Sequence, residues 1–218
     1  MRVNFESNNN NSMNLNRGEQ SNQGSGKVIS LSIGQNISLT KELPSLKQIL
    51  VGLGWDTNDY VGAAYDLDVS AFMLGVNGKV PNSDYFVFYS QLVGPNNSVV
   101  HTGDNLTGEG DGDDESLIVD LTKVPTAVDK IVFTVTIHDA QLRSQSFGQV
   151  RNAFIRLVDD NTKQEVLRFD LTENFSTETS VVVAELYRYQ SEWKFKAVGA
   201  GYNTNLADFC DKFGIQVG

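Results

Sequence analysis

A single cysteine, Cys210, stands in the 218 residues, which excludes an internal disulfide and any multi-cysteine zinc site. Basic residues are few: 17 Lys and Arg face 27 Asp and Glu, for a formal net charge of −10. Phosphate binding needs basic patches, so nucleic acid is excluded as a partner. No apolar run reaches the length of a membrane helix. The N-terminus has no apolar core segment of a signal peptide. These absences together predict a cytoplasmic protein. Histidine is almost missing, with only His101 and His138. His138-Asp139, with Ser144 and Ser146 nearby, holds the residue types of a hydrolytic triad. Nothing like Gly-x-Ser-x-Gly surrounds either serine, so the reading is structural and the chain is not expected to be an enzyme.

What is abundant is local. Residues 103–115 run Gly-Asp-Asn-Leu-Thr-Gly-Glu-Gly-Asp-Gly-Asp-Asp-Glu, with six carboxylates, one carboxamide and four glycines. Close carboxylate pairs cost about 1 kcal/mol each even in water. A hard cation offsets that cost: calcium takes six to eight oxygens, and glycines let the backbone fold round it. An EF-hand is excluded. With Asp104 first and Glu115 twelfth, the third and fifth places fall on Leu106 and Gly108, which offer no side-chain oxygen. The sixth, which needs glycine, is Glu109. A second acidic cluster lies at Asp66-Leu67-Asp68. Residues i and i+2 of a strand share a face, so with Leu67 inward both carboxylates point the other way. Asp56 closes the preceding strand. The candidate ligands are therefore Asp56, Asp66, Asp68, Asp104, Asn105, Gly108, Glu109, Asp111, Asp113, Asp114 and Glu115. Oxygen donors in this number suit calcium better than magnesium, which keeps several waters. Two ions would bring the net charge to about −6.

Residues 1–26 are rich in Asn, Ser, Gln and Gly, have no apolar period, and read as a disordered tail. Residues 27–218 read as one domain. Val28 to Ile33, Leu46 to Trp55, Asp66 to Leu74, Tyr85 to Leu92, Val99 to His101 and Ser116 to Leu121 are expected strands. So are Ile131 to Ile137, Ala153 to Val158, Glu165 to Asp170, Ser180 to Arg188 and Trp193 to Val198. Leu67, Val69, Ala71 and Met73 alternate, as do Ile131, Phe133, Val135 and Ile137. Short strands divided by Gly, Asn, Asp and Pro turns predict an all-β sandwich of two antiparallel sheets. Two short helices are expected. One is a turn near Leu121–Val128; the other is Asn205–Phe213, with Asn205 as cap and Gly214 as stop. Cys210 on that helix is read as a buried structural thiol, and Trp55 and Trp193 as core anchors. Arg143, Arg151, Arg156, Arg168 and Arg188 are scattered. They read as ordinary surface pairing, with weak head-to-tail self-association as the alternative.

Several segments carry a family resemblance. They are Gly52-Leu53-Gly54-Trp55-Asp56, Asp66-Leu67-Asp68-Val69-Ser70-Ala71-Phe72 and the 103–115 loop. Glu185-Leu186-Tyr187-Arg188, Glu192-Trp193-Lys194-Phe195 and Ala197-Val198-Gly199-Ala200-Gly201-Tyr202 extend the match. The chain resembles the TerD family of tellurium-resistance and stress-response proteins over roughly residues 27–217. The resemblance implies a β-sandwich that binds two calcium ions without enzymatic activity, with the Asp-Leu-Asp strand start and the acidic loop as ligands. It also implies an interaction module whose protein partner, such as another stress-response protein, is unidentified. Calcium-dependent binding of a small ligand such as a cyclic nucleotide stays open, as does a metal-dependent hydrolase.

Overall fold

The computed structural model describes residues 33–59, 62–110 and 112–216. The tail, most of the first expected strand and Asp111 lie outside the described residues.

Among the described residues, eleven strands form two antiparallel sheets. The six-stranded sheet contains β1 (Asn36–Ser38), β3 (Leu67–Leu74), β4 (Phe86–Val87), β7 (Lys130–Ile137), β10 (Ser180–Tyr189) and β11 (Glu192–Tyr202). Its order is β1-β11-β10-β7-β3-β4. The five-stranded sheet contains β2 (Gln48–Gly54), β5 (Val99–His101), β6 (Glu115–Asp120), β8 (Phe154–Asp159) and β9 (Gln164–Asp170). Its order is β5-β6-β2-β8-β9. The expected sandwich is thus present.

The core lies between the sheets, because one side of each alternating strand is apolar. Leu67, Val69, Ala71 and Met73 of β3 meet Ile131, Phe133, Val135 and Ile137 of β7 there. Opposite them stand Leu53 of β2 and Leu117 and Val119 of β6. β3 is buried along both faces. Its outer residues Phe72 and Leu74 join Phe86, Val132 and Val182 under a helix, α3 (Leu206–Phe213), which contributes Phe209, Cys210 and Phe213.

The ends of α3 follow from local chemistry. Asn205 accepts the Asp208 N–H at 3.1 Å, while Asp208 accepts the Asn205 N–H at 2.9 Å. Gly214 then takes a left-handed φ of +90° that ends the helix.

Three expectations need correction. Leu121–Val128 is a run of turns, not a helix. Its Val124, Pro125 and Val128 carbonyls accept the Arg188 guanidinium instead of helical N–H groups. Tyr85–Leu92 is not a full strand. Phe88 and Gln91 bond each other across a tight turn, leaving only Phe86–Val87 paired with Ala71 and Phe72. Two four-residue helices were not expected, α1 (Leu39–Glu42) and α2 (Ala140–Arg143).

Candidate metal centre

The loop between β5 and β6 lies over a floor prepared by glycines. In β2, Leu53 enters the core while Gly52 and Gly54 face outward. A Cβ on Gly52 would lie 2.5 Å from Asp113 Oδ1, and one on Gly54 would lie 2.5 Å from the Gly112 carbonyl oxygen. The Gly-Leu-Gly spacing therefore serves the backbone approach of the acidic loop. Trp55 fastens the loop beside that floor. Its main-chain N–H donates to Asp114 Oδ2 at 2.9 Å, and its indole N–H donates to the Tyr65 carbonyl at 2.9 Å. Gly108, at φ +73°, packs so closely on the Trp55 ring that a Cβ would lie 2.5 Å from Nε1.

Asn105 organises the loop. Its Oδ1 accepts the N–H groups of Thr107 and Gly108 at 3.1 and 3.0 Å. Its side-chain amide donates to Asp114 Oδ1 at 3.0 Å and to the Glu109 carbonyl at 3.3 Å. Its own N–H donates to Glu115 Oε1 at 3.2 Å.

The loop returns Asp104 to the start of β3. There Asp66, Asp68 and Asp104 each offer a carboxylate oxygen, all within 4.8 Å of one another. Such separations suit oxygens round one calcium ion, with metal–oxygen distances of about 2.3–2.6 Å. Leu67 occupies the core, so Asp66 and Asp68 face the same way, as the alternation requires. They are nevertheless only 5% and 3% exposed. Asp66 Oδ1 is buried with no hydrogen-bond partner among the described residues. Buried, unpaired carboxylate oxygens are costly, and a cation answers that cost. Burial pushes the Asp68 carboxyl up to about 8, helped by the negative charges of Glu115, Asp66 and Asp104. Burial also raises Asp66, against the pull of His138 and Arg143. The donor set is all oxygen and fits a hard cation.

Arg143 and His138 border this cluster, and nothing local in the sequence placed either beside it. Arg143 Nη1 lies 3.4 Å from Asp66 Oδ2, delivered by α2. His138 Nδ1 lies 3.9 Å from Asp68 Oδ2. His138 and Asp139 do not form a triad with Ser146, whose hydroxyl donates to the Ser176 carbonyl.

The remaining candidates go elsewhere. Glu115 is 1% exposed and points between the sheets beside the cluster. Asp113 turns to Arg156, with bonds of 2.8 and 3.0 Å. Asp114 is held by Trp55 and Asn105, and Asp56 accepts the Asn152 amide at 2.7 Å. Asp56, Asp59, Glu109, Gly108, Trp55 and Arg151 line a separate open cleft of about 380 Å³. Arg151 there pairs with Asp59. The other three arginines also have partners within the chain: Arg168 with Asp170, Arg188 with three carbonyls, Arg143 with Asp66. The structure thus brings Asp66, Asp68 and Asp104 together, turns Asp113 to Arg156, and sets Asp56, Gly108 and Glu109 along the separate cleft.

A two-sheet sandwich that gathers buried carboxylates from separated segments at one end is the class these observations define. The chain belongs to the TerD domain family, whose profile matches residues 28–213. It is 59% identical over 188 residues to the tellurium resistance protein TerD of Serratia marcescens, covering 86% of this chain and 98% of that protein. It is 54% identical over 192 residues to general stress protein 16U of Bacillus subtilis (strain 168), covering 88% and 100%. A crystal structure of a Streptomyces coelicolor A3(2) homologue of telluride resistance protein (TerD) superposes with a TM-score of 0.67. At 22% identity, over 78% of this chain and 99% of that one, it bears on the fold alone. No helix among the described residues is long and apolar enough to cross a membrane.

Proposed function

We propose that the protein binds calcium through Asp66, Asp68 and Asp104, with Glu115 alongside, and acts as a calcium-dependent interaction module in a stress response. The observation that carries this reading is the buried, unpartnered Asp66 Oδ1 beside two further carboxylates. Three anionic groups at that spacing repel one another, and a divalent cation converts the repulsion into coordination. The names of the relatives, tellurium resistance and general stress proteins, support the physiological setting.

A second ion is part of the same proposal, with Asp56 and Glu109, which line the separate cleft, as its candidate ligands. Calcium would supply charge neutralisation and fix the acidic loop for a protein partner. The chain's own residues bind and orient, and the module is read as non-enzymatic. A cytoplasmic setting is part of the same proposal.

The test is calorimetric titration with calcium, together with thermal unfolding in calcium and in chelator. Calcium at about a hundredfold its Kd raises the midpoint by roughly 5–10 °C. No binding heat together with an unmoved midpoint overturns the reading.

A further inference from the structure

The outer face of the five-stranded sheet carries a straight apolar row. Val93 bridges Val100, Val100 pairs with Ile118, Ile118 with Leu50, and Leu50 with Val158. Cross-strand partners share a face, so the five side chains stand side by side. All five lie outside both buried clusters. Their neighbours along the strands, Ile49, Val51, Val99, Leu117, Val119 and Leu157, fill the core on the opposite face. Val93 is 48% exposed, and Leu50, Val100 and Ile118 are partly exposed.

An antiparallel sheet with one solvated face alternates apolar and polar residues, whereas apolar runs mark strands covered on both faces. The same molecule shows the covered case. The outer residues Phe72 and Leu74 of β3 are apolar, and α3 lies over them. The Ile49-Leu50-Val51 and Leu117-Ile118-Val119 runs have the covered pattern, but α3 packs on the other sheet and α1 packs on β11.

The row fits a second copy of itself. A two-fold axis along the row lays apolar side chains on apolar side chains and keeps the strands of the two sheets aligned, as in sandwich packing. Arg156 stands two residues to one side of Val158. Asp160 stands two residues to the other, where its N–H continues the ladder to the Gln48 carbonyl. The same axis therefore sets Arg156 over Asp160 of the second copy, twice. Charge repulsion is weak here despite the net −10. Arg156 pairs with Asp113, Asp120 with Lys123, and Asp160 with Lys163, each within the chain. Strands about 4.8 Å apart make a face of roughly 20 by 20 Å, which as a rugged surface covers on the order of 600 Å² per copy, the lower bound for a specific interface.

We propose that the outer face of the five-stranded sheet is a self-association surface, on which two copies of the chain pack row against row into a closed dimer. This surface stands apart from the acidic cluster and does not rest on the calcium reading.

The experiment is sedimentation velocity of the full chain, in calcium and in chelator, with half-association expected at roughly 1–100 µM. A dimer and nothing larger is expected in both conditions. Val93→Lys buries a charge at the contact and weakens the dimer about tenfold or more. Asp160→Arg sets like charges over each other and weakens it as well. Val76→Lys, at a 91% exposed position on the turn after β3, leaves it unchanged. All three positions lie at the surface, and thermal unfolding of the dilute variants is expected to match wild type within a few degrees. A monomer throughout overturns the proposal. So does a dimer of wild-type affinity in both Val93→Lys and Asp160→Arg, growth beyond two copies, or a dimer formed only with calcium. Calcium binding is read separately by calorimetry, so either reading can fail without the other.

Discussion

The Val69 N–H donates to Glu115 Oε2 at 2.9 Å, joining the residue after Asp66-Leu67-Asp68 to the last residue of the acidic loop. The bond crosses from one sheet to the other. It exists because β4 pairs only with Ala71 and Phe72, so the first half of β3 has no strand neighbour on that side. Glu115 fills the gap. Its other oxygen accepts the Asn105 N–H, and His101 Nε2 stands 3.5 Å away at charge range. Glu115→Ala leaves two backbone donors unsatisfied and is expected to cost roughly 2–3 kcal/mol. Glu115→Gln keeps an acceptor and is expected to cost clearly less. Chemical denaturation of both variants checks the order.

Asp68 separates binding from stability. Its carboxyl is pushed up to about 8 by burial and by Glu115, Asp66 and Asp104, so its ionised form is disfavoured without a cation. Asp68→Asn is expected to raise the unfolding midpoint in chelator and to weaken calcium binding about tenfold or more. Asp113→Asn is expected to weaken calcium binding far less, because Asp113 is committed to Arg156. Parallel calorimetry on the two variants reads the difference.

Gly52→Ala places a methyl group against the Asp113 carboxylate, beside its bond to Arg156. Gly54→Ala meets the Gly112 carbonyl and the Phe154 ring. Each is expected to cost about 1–3 kcal/mol and to lift the loop from the sheet. Loss of stability with weakened calcium binding is the expected pair of results, measured by denaturation and calorimetry.

Asp120 sets an acid limit away from the metal centre. Burial works to raise its carboxyl, but bonds from Thr122, Lys123 and Gln48 prevail and hold it at about 2, below the usual 3.8. Its folded value is depressed, so its contribution to stability is fully present above about pH 4 and is lost as pH falls toward 2. The stability gap between wild type and Asp120→Asn is expected to shrink over that interval. Denaturation curves at a series of acidic pH values check it.

Burial, aided by Asp211, pushes the Cys210 thiol up to about 11. Wedged among Phe209, Phe213 and Val182, it is expected to resist alkylation in the folded chain and to react on unfolding. Mass spectrometry after iodoacetamide, with and without denaturant, distinguishes the two.

The fold was legible wherever side chains alternate or cap. Leu67, Val69, Ala71 and Met73 marked both the strand and its inner face, which in turn aimed Asp66 and Asp68 together. Asn205 and Gly214 marked both ends of α3, since capping chemistry is local. The helix expected at Leu121–Val128 failed because its carbonyls bond Arg188, sixty residues along the chain. Nothing local marked α2, so Arg143 beside Asp66 went unseen.

By itself, the sequence determined the sandwich, the alternating faces and the concentration of carboxylates, because these depend on neighbours two to four positions apart. Only tertiary structure decided how the carboxylates divide. Whether an acidic side chain in residues 103–115 joins Asp66 and Asp68, as Asp104 does, or turns to Arg156, as Asp113 does, depends on what lies beneath the loop. The glycine floor of β2 and the open edge of β3 supply that support, and both arise from segments far apart in the chain.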